Sequence, residues 1–419
     1  MKIFLVTAGS AGDIHPFLAI GQALQARGHQ AELVTNPAFE SLARSLGLDF
    51  TGVGTEQQYQ ETLAHPKLWH PVDGLGVMWR SLIQHQLIPV YERLRAAAAD
   101  GPCVVLASPP CFGARAAQQQ LGIPLVTAYT AATMLRSCAD PMTMAHWHVP
   151  RWMPQIARRA AWRALDRHKL EPMARPALSK LFAHAGMGWP QTSMFGHWMH
   201  SPLAGVTLFP SWFARAASDW PAQVEQAGFV FFDGDPNSGL DAPLSAFLQA
   251  GAPPVVFMPG TAARDTGVFF RAALQACRQL GVRAVLLGHG AQEIAASANA
   301  TAQAGVLAAP YAAFGSLLPQ CSALVHHGGI GSLAQALRAG LPQLLVPKGF
   351  DQFDNALRLR TLGLGMALPR SDARLDGLAP ALTSLLQDSA MRERCRNYAQ
   401  PTPSREPLDR ICALLERVA

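Results

Sequence analysis

Charged residues are scarce in this chain: Asp, Glu, Lys and Arg make up 15% of its 419 residues, against a usual ~25%. Disordered segments and nucleic-acid-coating tails need high charge and little apolar content to stay solvated. Here the apolar set reaches 49%, which excludes both, and no collagen-like repeat is present. Cysteines are also few. The seven (Cys103, Cys111, Cys138, Cys277, Cys321, Cys395 and Cys412) are scattered, odd in number and never spaced C-x-x-C, which argues against a disulfide framework and a structural zinc. They read as reduced core residues. Long apolar runs are missing too: Ile3 to Ala8 is too short for a signal-peptide core, and no stretch approaches the ~18 residues of a membrane-spanning helix. The expected compartment is the cytoplasm.

What is present is length and one concentration of charge. At roughly 100–200 residues per domain the sequence makes two domains or three. The formal net charge is +6, and it is concentrated: between Arg151 and Arg175 stand Arg151, Arg158, Arg159, Arg163, Arg167, Lys169 and Arg175 against only Asp166 and Glu171.

The apolar pattern is that of an α/β protein. Residues 2 to 8 read as a strand, Gly9-Ser-Ala-Gly12 as a loop, Asp13 to Arg27 as an amphipathic helix stopped by Gly28, and Ala31 to Thr35 as a second strand. The right-handed crossover rule makes such strands parallel. The same grammar returns at Pro254 to Leu287 and again at Ser322 to Val346. The Pro-, Gly- and Asp-rich stretch from Pro210 to Pro254 reads as the linker. The expected division is an N-terminal domain over 1–234, a C-terminal domain over 235–400 and a helical tail over 401–419 that packs back on the N-terminal domain.

In an open parallel sheet, ligands sit beyond the carboxyl ends of the strands, where helix N-termini offer unpaired N–H groups and a partial positive charge. Four loops meet that condition: Gly9 to Asp13, Pro259 to Thr261, His327 to Ser332, and Lys348 to Gln352. The third joins a histidine, three glycines and a serine at a helix start, which suits a diphosphate. The fourth carries Asp351 and Gln352, a carboxylate and an amide suited to adjacent sugar hydroxyls.

The linked set His327-Gly-Gly-Ile-Gly-Ser332, Gly340-Leu-Pro342, Pro347 and Asp351-Gln352 resembles the donor-binding signature of the GT-B nucleotide-sugar glycosyltransferases. The resemblance implies two Rossmann-like, doubly wound parallel-sheet domains facing a central cleft. It also implies donor contacts from Gly12, Gly260, Thr261, Tyr311, His327, Gly328, Gly329, Gly331, Ser332, Asp351 and Gln352. Within that set His327 and Ser332 address the diphosphate, Asp351 and Gln352 the sugar, and Tyr311 the base. Asp13 falls where the family carries its catalytic base, with His15 in reserve; the competing reading makes Asp13 the N-cap of the first helix.

Further segments, His65-Pro-Lys-Leu-Trp69, Gly76-Val-Met-Trp79, His197-Trp-Met-His-Ser-Pro202, Leu208-Phe-Pro-Ser-Trp-Phe-Ala214 and Asp219-Trp-Pro221, look like the rhamnosyltransferases of rhamnolipid biosynthesis. That likeness implies transfer of L-rhamnose from dTDP-L-rhamnose to a 3-(3-hydroxyalkanoyloxy)alkanoic acid, with no resident cofactor and no metal. Sterol and antibiotic-aglycone transferases using UDP- or dTDP-glucose share the same donor loops.

Rival readings are weaker. A Rossmann oxidoreductase lacks the third glycine of G-x-G-x-x-G and the acidic residue after the second strand. The D-x-D of Asp233-Gly-Asp235 lies in the presumed linker and reads as a turn, and His146-Trp-His148 lacks further ligands. A non-catalytic sugar-nucleotide-binding subunit would not need Asp13. Seven of the nine tryptophans lie between residues 65 and 200, so an acceptor pocket lined by Trp69, Trp79, Trp152 and Trp198 is expected. Arg159, Arg163 and Arg167, on a different stripe from Met153, Ala157, Ala161 and Leu165, predict a basic amphipathic helix at an anionic membrane surface. Nucleic acid is not an expected partner.

Overall fold

The computed structural model describes residues 1–144, 147–150, 152–234, 239–297, 305–369, 374–399 and 404–419. The protein divides into two compact units, one of Met1–Phe232 with Arg405–Ala419 and one of Asp233–Ser404.

The first unit is built on seven strands: β1 (Lys2–Val6), β2 (Gln30–Thr35), β3 (Asp49–Gly52), β4 (Cys103–Ala107), β5 (Leu125–Tyr129), β6 (Ala204–Thr207) and β7 (Val224–Gln226). Their order is β3-β2-β1-β4-β5-β6-β7, and every pair is parallel. Ile3 to Val6, Cys103 to Ala107 and Leu125 to Tyr129 are buried throughout, as continuous apolar strands covered on both faces must be. The second unit holds six: β8 (Val255–Met258), β9 (Ala284–Leu287), β10 (Val306–Ala309), β11 (Ala323–His326), β12 (Gln343–Leu345) and β13 (Gly365–Ala367), ordered β10-β9-β8-β11-β12-β13 and also all parallel. In each unit the order reverses at the first strand, so the crevice for a ligand opens beyond the carboxyl ends of β1 and β4, and of β8 and β11.

Helix α1 (Ala11–Ala26) follows β1. Helix α2 (Gln155–Leu165) runs on through a π-helical turn at 166–170. Helices α3 (Ile330–Arg338) and α4 (Gln352–Thr361) follow β11 and β12, and α5 (Glu406–Val418) is the C-terminal helix. The last belongs to the first unit. It buries Ile411, Cys412, Leu414 and Leu415, while Arg27 reaches Asp409 and Glu416 at 2.8 and 3.2 Å and His29 meets Glu416 at 2.9 Å. All seven cysteines are free and buried.

The predicted stripe on α2 is corrected. Ala157 and Ala161 face solvent together with Arg159, Arg163 and Arg167. The inward face is instead polar: Arg158 is buried and donates to the Cys138 carbonyl at 2.5 Å, and Asp166 takes Arg136 at 2.7 Å and the Ser193 hydroxyl at 2.7 Å. Arg136 also stacks on Trp162 at 4.4 Å. The buried carbonyl and the buried ion pair had to be satisfied, and that requirement set the helix's rotation against its apolar pattern.

The terminal helix offers a test of what holds the first unit together. Leu415→Ala should lower its stability by ~2–5 kcal/mol through lost burial and a residual cavity, whereas Arg27→Ala, which removes only surface ion pairs, should cost under ~1 kcal/mol. Thermal unfolding of the two variants checks the ranking.

Candidate active site

In the first unit the chemistry gathers at the end of β1. The backbone turns at Gly9, whose φ is +140°, and α1 then starts at Ala11, two residues earlier than the sequence pattern indicates. Ser10, not Asp13, is the N-cap. Asp13 stands at the third helical position and closes a capping box: the Ser10 N–H donates to Asp13 Oδ2 at 2.9 Å, and the Ser10 hydroxyl lies 3.3 Å from the same oxygen. A Cβ on Gly9 would sit 2.2 Å from Asp13 Oδ2, so only glycine leaves room for the carboxylate.

Burial pushes the Asp13 carboxyl up to about 6, against the pull of its hydrogen bonds from Ser10 and Thr130. Asp13 nonetheless keeps part of its surface open. It is ionised at neutral pH and close enough to its pKa to take a proton, which is what a general base requires. His15, also partly open, lies with its ring centroid 5.0 Å from that of Phe232, and burial lowers it to about 4, so it is neutral. Gly12 belongs to this same first turn of α1.

In the second unit three loops converge. Gly260, after β8, has φ +108°, and a Cβ there would press on the His327 ring at 3.0 Å; a Cβ on Gly329 would come within 2.4 Å of His327 Nε2. The imidazole is thus seated between two glycines. Burial and the nearby Lys348 ammonium lower His327 to about 4, and its Nδ1 has no partner among the described residues. Helix α3 is N-capped by Gly329, which supplies no side-chain oxygen. Ser332 therefore is not the cap of this helix. It is the third helical residue, with no hydrogen-bond partner for its hydroxyl among the described residues. Gly328 and Gly331 complete the loop and the first turn, Thr261 is exposed after β8, and Tyr311 is 64% exposed in the loop after β10.

Asp351 is the N-cap residue of α4, and Gln352 begins that helix. Gln352 is only 3% exposed, and its Oε1 accepts from the N–H groups of Lys348 and Gly349 at 2.7 and 3.1 Å. The amide expected to face a sugar therefore shapes its own loop, leaving Nε2 to donate. Two residues without a place in the sequence signature support this set. Asn355 donates from Nδ2 to the Gly328 carbonyl at 3.0 Å and to Asp351 Oδ2 at 2.7 Å; its spacing of four from Asp351 is the available signal. His326 is buried and held neutral, its Nδ1 accepting from Gly328 N–H at 3.2 Å while Nε2 meets Gln343 Oε1 at 3.0 Å.

The D-x-D reading gains no support, because the Asp233 carboxylate is taken by Arg338 at 2.6 Å and Gln335 at 3.1 Å. Asp235 and His146 lie outside the described residues. Among the described residues no three metal-ligating side chains cluster.

The expectation of a tryptophan-lined pocket is corrected for Trp79 and Trp198. Trp79 and Trp198 are 1% and 4% exposed and fill the core: Trp79 meets Phe112 edge-on at 5.6 Å, and Trp198 lies nearly parallel to Phe112 at 6.2 Å. Trp69 is half-buried and Trp152 is 82% exposed in the turn before α2. Large rings close to one another in sequence stabilise this unit most by filling its interior, so clustering along the sequence did not distinguish pocket from core.

The raised Asp13 pKa makes stability depend on pH. A carboxyl whose folded pKa lies above its unfolded value stabilises fully below pH ~3.8, and that contribution is lost as pH rises through 6. Asn at this position keeps an oxygen for Ser10 and carries no charge. Asp13→Asn should therefore melt a few degrees above the wild type at pH 8, an effect of about 1–3 kcal/mol, with the difference shrinking to nothing near pH 4. Scanning both proteins across that range checks it.

Two family models match separate parts of the sequence. Residues 3–139 match the glycosyltransferase family 28 N-terminal domain, and residues 286–413 match the C-terminal domain of the erythromycin biosynthesis protein CIII-like family. The protein is 28% identical over 457 residues to O-mycaminosyltylonolide 6-deoxyallosyltransferase of Streptomyces fradiae, covering 100% of this sequence and 98% of that one. It is 25% identical to a sterol 3-beta-glucosyltransferase of Arabidopsis thaliana over 92% of this sequence and 63% of that protein. Among solved structures, the glycotransferase of kitacinnamycin superposes with a TM-score of 0.73 at 20% identity, covering 100% and 98% of the two proteins. Spinosyn rhamnosyltransferase SpnG, complexed with thymidine diphosphate, does so at 0.63 and 21%, covering 99% and 100%. At such identity these two likenesses carry the fold, which is GT-B.

Proposed function

We propose that this protein, which is a glycosyltransferase of the GT-B fold, moves a sugar from a nucleoside diphosphate to the hydroxyl of an apolar acceptor in one inverting displacement. The acceptor oxygen forms a bond to the anomeric carbon as its proton passes to the Asp13 carboxylate. The bond from that carbon to the diphosphate breaks, and the electron pair leaves with the diphosphate. The N–H groups that open α3, the Ser332 hydroxyl and the His327 ring receive the leaving group, and Asp351 with Gln352 Nε2 holds the sugar. The observation that carries this reading is the Gly9–Asp13 arrangement: a partly open carboxylate with a pKa near 6, fixed at the carboxyl end of the strand where the sheet order reverses. The reading uses neither metal nor resident cofactor.

For the donor we favour dTDP-L-rhamnose. Two proteins similar to this one are named for 6-deoxyhexose transfer, and one of them was solved with thymidine diphosphate. For the acceptor we favour a β-hydroxyacyl lipid such as a 3-(3-hydroxyalkanoyloxy)alkanoic acid, on the resemblance of the tryptophan-bearing segments. An antibiotic or sterol aglycone is the second reading, favoured by the names of the relatives. Turnover with dTDP-L-rhamnose, dTDP-glucose and UDP-glucose against both acceptor classes separates them. In the productive combination, Asp13→Asn should keep donor affinity and lose ~10²–10⁴-fold in kcat. Near wild-type kcat in that variant would remove Asp13 as the base, and transfer to aglycones alone would remove the lipid acceptor.

A peripheral contact with anionic membrane fits the outer side of α2. Trp152 and Ile156 are 82% and 79% exposed there, beside exposed Arg159, Arg163 and Arg167. Exposed apolar side chains flanked by arginines suit the interface of an anionic bilayer, where each basic residue contributes ~1 kcal/mol. No helix among the described residues is long and apolar enough to cross a membrane. Replacing the three arginines with glutamine should abolish salt-sensitive sedimentation with phosphatidylglycerol vesicles while leaving the melting temperature unchanged; undiminished vesicle binding counts against the contact.

A further inference from the structure

Lys348 stands at the start of the loop from β12 to α4, and that loop is held from below by Gln352, whose Oε1 takes the N–H groups of Lys348 and Gly349. The side chain is half-buried. Its ammonium has one long contact, 3.5 Å to the Asp265 carbonyl in the loop after β8, and no carboxylate within ion-pair distance among the described residues. Burial lowers its pKa, and its charge in turn lowers that of His327. The Asp265 carboxylate attracts this charge from beyond ion-pair distance and offsets the loss of solvent only in part, and a bound anion would complete the pair.

The proposed reaction, on which this inference rests, supplies such a ligand. The leaving diphosphate gains a full negative charge as its bond to the anomeric carbon breaks. His327, with a pKa of about 4, is neutral and offers only a hydrogen bond. The start of α3 offers about half a positive charge. Neither provides a whole cation, and Lys348 does. Gly260 lies against the His327 ring and the Asp265 carbonyl of the same loop meets Lys348, so one loop borders both residues, and the Lys348 charge acts on the imidazole.

We propose that Lys348 is a further catalytic residue, its ammonium set against the diphosphate to take up the charge that develops on the leaving oxygen.

Lys348→Met, Lys348→Arg and His327→Ala test this, with calorimetric titration of dTDP and of UDP and with single-turnover rates in the productive donor–acceptor pair. Lys348→Met should melt no lower than the wild type, because burial already disfavours the cation it removes, so any loss of function is not a loss of fold. It should bind the nucleoside diphosphate about tenfold or more weakly and lose on the order of 10²-fold in rate, and Lys348→Arg should recover most of both. If Lys348→Met binds and turns over within about threefold of wild type while His327→Ala loses nucleotide affinity, Lys348 has no such role and the donor site stands. If neither variant changes nucleotide affinity, the donor site itself is misplaced and the proposal falls with it.

Discussion

Both units depend on the same constraint, a parallel sheet covered on both of its faces. Strands buried on two sides carry apolar residues along their whole length, so Phe4, Val105, Val256 and Leu324 leave no place for polar chemistry within the sheet. Polar groups collect at the strand ends, and the carboxyl ends are favoured because the helices that follow present their N-termini there. Where the strand order reverses, neighbouring connections run to opposite faces and the loops part. Asp13 follows one such strand, β1. The His327 loop follows β11, beside the reversal at β8.

Given those positions, the environment assigns the roles. Desolvation pushes Asp13 up and His15, His327 and Lys348 down, each toward its uncharged form. At neutral pH the outcome is a carboxylate poised to accept a proton, two uncharged imidazoles and one poorly paired ammonium. Glycines make this possible at close range. Gly9 admits the Asp13 carboxylate and Gly329 the His327 ring at separations where a Cβ would collide, and Gly260 admits the same ring where a Cβ would press on it. Around them, residues that need never touch a substrate hold the geometry: Ser10 on Asp13, Asn355 on Asp351 and Gly328, His326 on Gly328, and Gln352 on its own loop.

The segment from residue 65 to 200 follows a different logic. Outside β4 and β5, some of its side chains run against their sequence pattern for a physical reason. Tryptophan lowers free energy by burial wherever burial is on offer, and Trp79 and Trp198 found it in the core of the first unit. The arginines of 158–167 are alike in sequence but not in the fold. Arg158 turns inward to a carbonyl that lacked a donor, whereas Arg159 and Arg163 remain in solvent.

Local order was legible without coordinates: the strand–loop–helix units, the glycine-rich turns and the parallel direction of the sheets. All of these follow from periodicity, from the restricted backbone of non-glycine residues and from groups adjacent in sequence. Four things required the tertiary structure. They are the burial that raises Asp13, the seating of His327 between Gly260 and Gly329, the placing of Lys348 beyond ion-pair distance of any carboxylate among the described residues, and the choice of which tryptophans and arginines turn inward. Each is a property of distance and desolvation between residues remote in sequence, and a one-dimensional pattern carries neither.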